Sequence, residues 1–254
     1  MGILIFILIL VMAFLAELLD SSIGMGYGTL LAPILLLMGF IPVEVVPAIL
    51  LSQVVGGFIA GCFHHKIKNA DLLGNGRDRN ISLIIILCSV AAIVFAVSIS
   101  VKIPPIYTKT YISILVFVMG MVILFKKKSF EFKWYKVIIF GLVSSFNKAI
   151  SGGGFGPIVT SGQVVSGRSC KNSVGVTTIS EVPVCLLSFV TYLGMSGTSS
   201  LNYSLITALL IGAFLSAPIG PFITKKINTN KLKVFLALLL IVISIWSIIK
   251  IYIL

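Results

Sequence analysis

The sequence predicts an all-α integral membrane protein built from two inverted repeats of about five hydrophobic segments each, with short Gly-interrupted segments near mid-membrane. Three observations lead there. The chain is 58% hydrophobic and only 10% charged, against roughly 25% charged residues in soluble domains. A glycine triplet recurs without a gap at an offset of 128 residues. The net charge of +12 is concentrated in short connectors rather than spread along the chain.

Apolar stretches set the elements. No Asp, Glu, Lys or Arg occurs in 21–43, 45–65, 80–101, 149–167 or 182–224, and a spanning helix needs about 20 mostly apolar residues. Ten segments result, near 3–20, 26–40, 44–64, 81–101, 107–125, 135–150, 154–167, 171–194, 203–224 and 232–253. The first, "MGILIFILILVMAFLAELLDSS", lacks the basic n-region and A-x-A site of a signal peptide and is expected to be structure. The basic run "KKKSFEFKWYK" separates the segments five and five. It defines a first transmembrane repeat (1–125), a cytoplasmic linker (126–136) and a second repeat (137–254).

Sliding one half over the other brings Gly24, Gly26 and Gly28 onto Gly152, Gly154 and Gly156. The same offset sets Tyr27 on Phe155, Gly39 on Gly167, Val46 on Val174, Ser52 on Ser180 and Gln53 on Glu181. An odd number of segments per copy places the copies upside down relative to each other. The connectors agree with that reading. Residues 64–80 are basic while their counterpart 194–202 has no charge, and 101–109 holds two lysines where 224–233 holds four. By the positive-inside rule the basic loops (Lys66, Lys68, Arg77, Arg79; Lys126, Lys127, Lys128, Lys133, Lys136; Lys225, Lys226, Lys231, Lys233) are cytoplasmic and both termini external, in a cell (inner) membrane. Charges so placed explain the basicity without nucleic acid.

The short segments 26–40 and 154–167 each open on glycines, Gly153 among them. Paired Gly-interrupted segments at matching places in inverted halves point to a transporter's binding site. Glycine permits a chain break and close backbone approach, and helix N-termini beyond the break can turn N–H groups on an anion. Close packing of small residues is the alternative use of such a run.

Ionisable groups within the segments are Glu17, Asp20, Lys148 and Glu181, each costly at the bilayer centre by roughly 2.5–3.5 kcal/mol. Lys148 lies twelve residues past Lys136, roughly 18 Å of helix, hence near mid-depth. Asp20 and Lys148 occupy equivalent positions with opposite charge, and are expected to pair across the halves. Ser52 with Gln53, and Ser180 with Glu181, add matched polar pairs, and Thr177 and Thr178 lie within a turn of Ser180. His64 and His65 adjoin Lys66 and are expected at the interface. The cysteines (Cys62, Cys88, Cys170, Cys185) show no C-x-x-C spacing and read as packing residues. No H-E-x-x-H, nucleophile elbow or Walker loop is present, so the sequence points to no enzyme, no metal and no cofactor.

The regions "DSSIGMGYGTLLAPILLLMGFIPVEVVPAILLSQ" and "SGGGFGPIVTSGQVVSGRSCKNSVGVTTISE" resemble the two signature regions of the sulfite exporter TauE/SafE family of membrane permeases. The resemblance extends over essentially the whole chain, with "SGGGFGP", "SGR" and "VGVTTISE" its most specific parts. The first copy departs from the pattern, since "GMGYG" is less glycine-rich and Gln53 stands where the second copy has Glu181. The resemblance implies transport of a small sulfur-containing anion such as sulfite, thiosulfate, sulfoacetate or a related sulfonate. The expected partners are that anion and the lipid bilayer; homo-oligomer formation stays open. The residues expected to bind the anion are Gly24, Gly26, Gly28, Ser52, Gln53, Lys148, Gly152, Gly153, Gly154, Gly156, Thr177 and Ser180. Export needs no coupling ion, because one negative charge leaving a cell at about −100 mV gains roughly 2.3 kcal/mol. Uptake would need a proton or cation, with Asp20, Glu17 and Glu181 as candidates. A proton- or cation-coupled transporter of another small solute is the alternative built on the same acids. An integral-membrane enzyme is the other, and the lack of a nucleophile–base or metal cluster counts against it.

Overall fold

The computed structural model describes residues 2–72, 76–125, 133–166, 168–226 and 229–253. They form α1 (Ile3–Ile23), α2 (Tyr27–Leu37), α3 (Pro42–Lys66), α4 (Arg77–Lys102), α5 (Pro105–Phe125), α6 (Trp134–Ser151), α7 (Phe155–Val165), α8 (Cys170–Ser196), α9 (Tyr203–Ser216), α10 (Gly220–Lys226) and α11 (Thr229–Tyr252). A single 3₁₀ turn, Thr198–Ser200, leads into α9. No strand occurs among the described residues. Most of the basic run 126–136, Gly167 and the step from α10 to α11 lie outside them.

Helices α1, α3, α4, α5 and α8 are each long and apolar enough to cross a membrane. The expected ninth segment, 203–224, is broken: α9 and α10 meet at a bend of 43° and together make a sixth candidate span. Pro218 lies in the break, and a proline there removes a backbone donor and crowds the preceding turn. Helices α2 and α7 have eleven residues each, about 16 Å, too short to span alone. The protein is therefore a multi-pass membrane protein with two half-length apolar helices, α2 and α7. Its outer surface fits a lipid solvent: Leu87, Phe95, Phe214 and Trp246 are all more than half exposed, as apolar side chains in hydrocarbon can be.

The duplicated sequence has a duplicated backbone. Helix α1 ends at Gly24 and α6 at Gly152, both in the left-handed conformation (φ 71° and 72°). α2 and α7 begin and end 128 residues apart, and α3 and α8 begin 128 apart. Packing repeats too. α1 lies on α9 as α6 lies on α4, while α3 packs on its equivalent α8 and α5 on its equivalent α11. One apolar cluster gathers α1, α2 and α9 around Ile9, Leu35 and Leu209, and a second gathers α3, α4, α6 and α8 around Leu50, Ile85 and Val184. Within this apolar packing Gln53 of α3 and Glu181 of α8 are buried polar groups.

Candidate functional site

The two helix breaks meet backbone to backbone. A Cβ on Gly28 would stand 1.6 Å from the Gly152 oxygen, and one on Gly156 would stand 2.3 Å from the Gly24 oxygen. These contacts exchange when the halves are exchanged, since Gly152 is the equivalent of Gly24 and Gly156 of Gly28. A Cβ on Gly153 would lie 2.8 Å from the Thr29 nitrogen. No other residue fits these positions without moving main chain, so the glycines serve close approach as well as chain reversal.

Three amides at the crossing already have side-chain partners. Gly154 N–H donates to Thr29 Oγ1 at 3.1 Å, and Gly153 N–H to Ser151 Oγ at 3.0 Å. The Tyr27 N–H, at the start of α2, donates to Asp20 Oδ1 at 3.3 Å. The Asp20 carboxylate thus occupies the helix N-terminus that the sequence reserved for an anion. On the other side, Thr160 Oγ1 lies 2.8 Å from the Gly24 oxygen and 2.9 Å from Thr177 Oγ1, and Gln163 Nε2 donates to Thr177 at 3.3 Å.

A chain of charged and amide groups lies beside this crossing. Lys148 Nζ sits 2.6 Å from Glu181 Oε1 and donates to Gln53 Oε1 at 2.9 Å. The Gln53 amide nitrogen donates in turn to Asp20 Oδ2 at 2.7 Å. The four positions form two equivalent pairs, Asp20 with Lys148 and Gln53 with Glu181, brought together because α3 and α8 pack along each other. The expected direct Asp20–Lys148 pair is not what the structure holds. Lys148 pairs with the acid of its own half, and Gln53 spans the remaining gap. All four side chains are buried, Lys148 being 1% exposed. Glu17, one turn before Asp20 on α1, is buried with no hydrogen-bond partner at either oxygen.

The matched serines are not matched in role. Both donate back to their own helix, Ser52 Oγ to Ala48 O at 2.9 Å and Ser180 Oγ to Val176 O at 2.6 Å, but Ser52 Oγ also accepts from the Tyr27 hydroxyl at 2.7 Å. The reason is legible at the offset: the residue equivalent to Tyr27 is Phe155, which has no hydroxyl to offer. Thr178 likewise bonds back to Val174 O at 3.0 Å.

Tyr27, Thr29, Thr160, Gln163 and Cys185 join this region although sequence reasoning did not select them. Cys185, read as a packing residue, is buried in the apolar cluster one turn beyond Glu181. The periodicity of α8 could have found it. His64, two residues before the end of α3, is fully buried: Nε2–H donates to Ser21 O at 2.9 Å and Nδ1 accepts from Asn69 at 3.0 Å. It lies three helical turns after Gln53, on the same face of α3. Further out, Arg168 pairs with Asp78 and Asn172 donates to it at 2.9 Å, tying the α7–α8 turn to the start of α4. Burial draws the Arg168 guanidinium below its ordinary value, and Asp78 opposes that shift.

Two surface cavities, of about 580 Å³ beside His65, Lys66, Lys68 and Asn172 and about 310 Å³ beside Leu36, Lys109 and Lys250, are lined by none of the four network residues. The network is closed from both. Among the described residues no group of three His, Cys, Asp or Glu is placed to hold a metal ion.

The family model described as Sulfite exporter TauE/SafE matches residues 9–247. The chain is also similar to the "Probable membrane transporter protein YtnM" of Bacillus subtilis (strain 168), 26% identical over 241 residues that cover 91% of this chain and 78% of the relative. No solved structure matches it.

Proposed function

The chain belongs to the sulfite exporter TauE/SafE family of membrane transporters, and from that premise we propose that it carries a small sulfur-containing oxyanion through the glycine crossing, outward across the cell (inner) membrane. It is a transporter and not an enzyme, as its family and relative are. The observation that carries the anion reading is the placement of Lys148. A lysine buried to 1% exposure lies beside two broken helices, and the α2 N-terminus is filled by a carboxylate that an incoming oxyanion can replace.

The division of labour follows from charge. An anion arriving at Lys148 competes with Glu181 and with the Gln53 amide oxygen for its three N–H donors. Displaced from Lys148, Gln53 can turn toward Asp20 alone. Gly24, Gly26 and Gly28, with Gly152, Gly153, Gly154 and Gly156, keep the main chain near enough for amides to reach the substrate. Ser52, Thr177 and Ser180 supply hydroxyls along the α3–α8 seam.

In this reading residues 1–125 and 137–254 are inverted repeats joined by the basic linker 126–136, with both termini external. The exchange-symmetric contacts of the two breaks support it. So does the identical spacing of the half-length helices α2 and α7. Rocking one repeat against the other about the crossing would open the closed site to each side in turn. Potential alone suffices to drive the anion out.

Purified protein in liposomes loaded with radiolabelled sulfite, thiosulfate or sulfoacetate tests the proposal. Efflux of at least one of them, at least tenfold slower with Lys148→Gln, is the expected result. A wild-type protein that moves none of the three overturns it.

A further inference from the structure

Lys68 is the one described residue, glycines apart, with a positive φ, 60°. It stands just past α3, where its N–H donates to His65 O at 3.0 Å and the Asn69 N–H donates to His64 O at 2.9 Å. That pair of bonds is the Schellman ending of a helix, whose left-handed position is usually filled by glycine. A lysine there meets the Cβ crowding that glycine avoids. A disfavoured conformation that the surroundings enforce points to a use for the side chain it carries. The surroundings do enforce it: Asn69 is buried and donates to His64 Nδ1 and to Pro221 O of α10, each at 3.0 Å.

Lys68 lines the larger cavity, of about 580 Å³, together with His65, Lys66, Ala70, Asp71 and Asn172. Both lysines are exposed, and among the described residues neither has a side-chain hydrogen bond or ion pair. The Leu72 N–H donates to His65 Nδ1 at 3.4 Å, which leaves the ring proton to Nε2. Asp71 is the single carboxylate of this lining. The nearby Asp78 is already matched: it pairs with Arg168 and accepts from Asn172 at 2.9 Å and from the Asp71 N–H at 3.0 Å. Two ammonium groups with three N–H donors each therefore outweigh one acid in the chamber. An oxyanion suits it. The volume far exceeds the roughly 30 Å³ of one water, so the anion enters with part of its hydration shell and binds loosely.

The lining comes from the end of α3 and the start of α8, the two helices that carry Gln53 and Glu181. Gln53 lies thirteen residues before Lys66 and Glu181 nine beyond Asn172, about 20 Å and 14 Å of helix. α8 closes on the lining at Ala70: a Cβ on Gly175 would stand 2.7 Å from the Ala70 Cβ and 3.3 Å from that of His64.

Resting on the anion-transport reading and its orientation, we propose that this cavity is the cytoplasmic loading site, where Lys66, Lys68 and His65 hold the sulfur oxyanion before the α3–α8 seam opens. The lysines concentrate the anion at the mouth of the seam and speed its capture. Salt weakens the effect, because both charges are exposed. The same chemistry would hold the phosphate of an anionic lipid headgroup, and the test separates the two.

The first measurement needs no transport. Full-length protein in phosphatidylcholine nanodiscs is treated with a water-soluble acylating reagent, and mass spectrometry follows each lysine. Sulfoacetate should slow acylation of Lys66 and Lys68 severalfold against chloride at equal ionic strength, and leave the exposed Lys225 and Lys226 unchanged. No selective protection overturns the proposal. Protection by added phosphatidylglycerol that sulfoacetate does not increase also overturns it, since the site then holds a headgroup. In flux, Lys68→Gln should raise KM for thiosulfate on the cytoplasmic side by more than it lowers kcat, and Lys68→Arg should keep KM near wild type. Lys68→Gly should raise KM as Lys68→Gln does, yet raise the melting temperature, because glycine relaxes the turn. An unchanged KM in Lys68→Gly overturns the loading role. Transport without protection of the lysines overturns the loading site alone. Protection in a protein that moves none of sulfite, thiosulfate and sulfoacetate would overturn the transport reading while leaving the anion site established.

Discussion

Lys148 and Asp20, equivalent positions of the two halves, form no ion pair: Gln53 stands between them, accepting from Lys148 at 2.9 Å and donating to Asp20 at 2.7 Å. The amide can do this because it carries a donor and an acceptor on one planar group. A glutamate in its place, as at the equivalent Glu181, could only accept, and would set a third carboxylate against Asp20. The asymmetry between Gln53 and Glu181 is thus what lets one lysine connect both halves.

Removing the lysine should therefore hurt chiefly through Glu181. Lys148→Gln leaves that carboxylate buried without its partner, a loss of about 3–5 kcal/mol for a broken buried pair. The double variant Lys148→Gln, Glu181→Gln should recover most of it. Thermal unfolding in detergent measures both. Within the same cycle, Asp20→Asn should couple to Lys148→Gln in wild-type background and lose that coupling once Gln53 is replaced by Ala. Coupling that survives Gln53→Ala would show that Asp20 and Lys148 meet directly.

The glycines divide into three classes. Gly28→Ala and Gly156→Ala should each prevent correct assembly of the crossing, because the added carbon would overlap a main-chain oxygen. Gly26→Val and Gly154→Val should abolish transport in protein that still inserts, since both positions have positive φ (141° and 80°) that β-branched residues rarely adopt. By contrast Gly39→Ala, with nothing within 4 Å of the added carbon, should cost only the left-handed backbone, about 1–2 kcal/mol. Size-exclusion profiles and liposome flux read the classes apart. Normal flux in Gly28→Ala would sink the close-approach argument.

Hydroxyls at the crossing should matter more than those on the seam. Thr29→Val leaves the Gly154 N–H without its acceptor, and an orphaned buried donor costs about 1–3 kcal/mol. Thr160→Val removes the hydroxyl shared by the Gly24 oxygen and Thr177 and should cost a similar amount. Ser180→Ala only frees a carbonyl of its own helix, and should leave the melting temperature near wild type. Equal effects at all three positions would contradict the bonding described.

Topology is tested in a cysteine-free background. A cysteine at Ser196 should be labelled by an impermeant maleimide from outside, and cysteines at Lys225 and Ser129 should not; Ser129 lies outside the described residues. Labelling of all three from one side would rule out the inverted arrangement.

Much of the architecture was legible before any coordinates. Helices are the only unpaired elements that satisfy their own backbone in hydrocarbon, so uncharged stretches of sufficient length had to be helical. The glycine triplets located the breaks because a left-handed helix end and a contact under 2 Å from a hypothetical Cβ both exclude side chains. What could not be read was the bend inside 203–224, where Pro218 disrupts one copy and the equivalent stretch of α4 runs unbroken. Repeat logic alone predicts the same element twice.

The sequence by itself determined the membrane class, the repeated glycine pattern, the two broken helices and the four ionisable residues within apolar segments. Periodicity, length and charge cost are local properties and need no partner to be read. The tertiary structure alone decided who pairs with whom. Whether Lys148 meets Asp20 or Glu181, whether Asp20 caps α2, and whether Glu17 finds a donor all depend on how α1, α3, α6 and α8 are set against one another. Those settings are fixed by the packing of the glycine crossing and the α3–α8 seam, where a shift of one helical turn would exchange every partner.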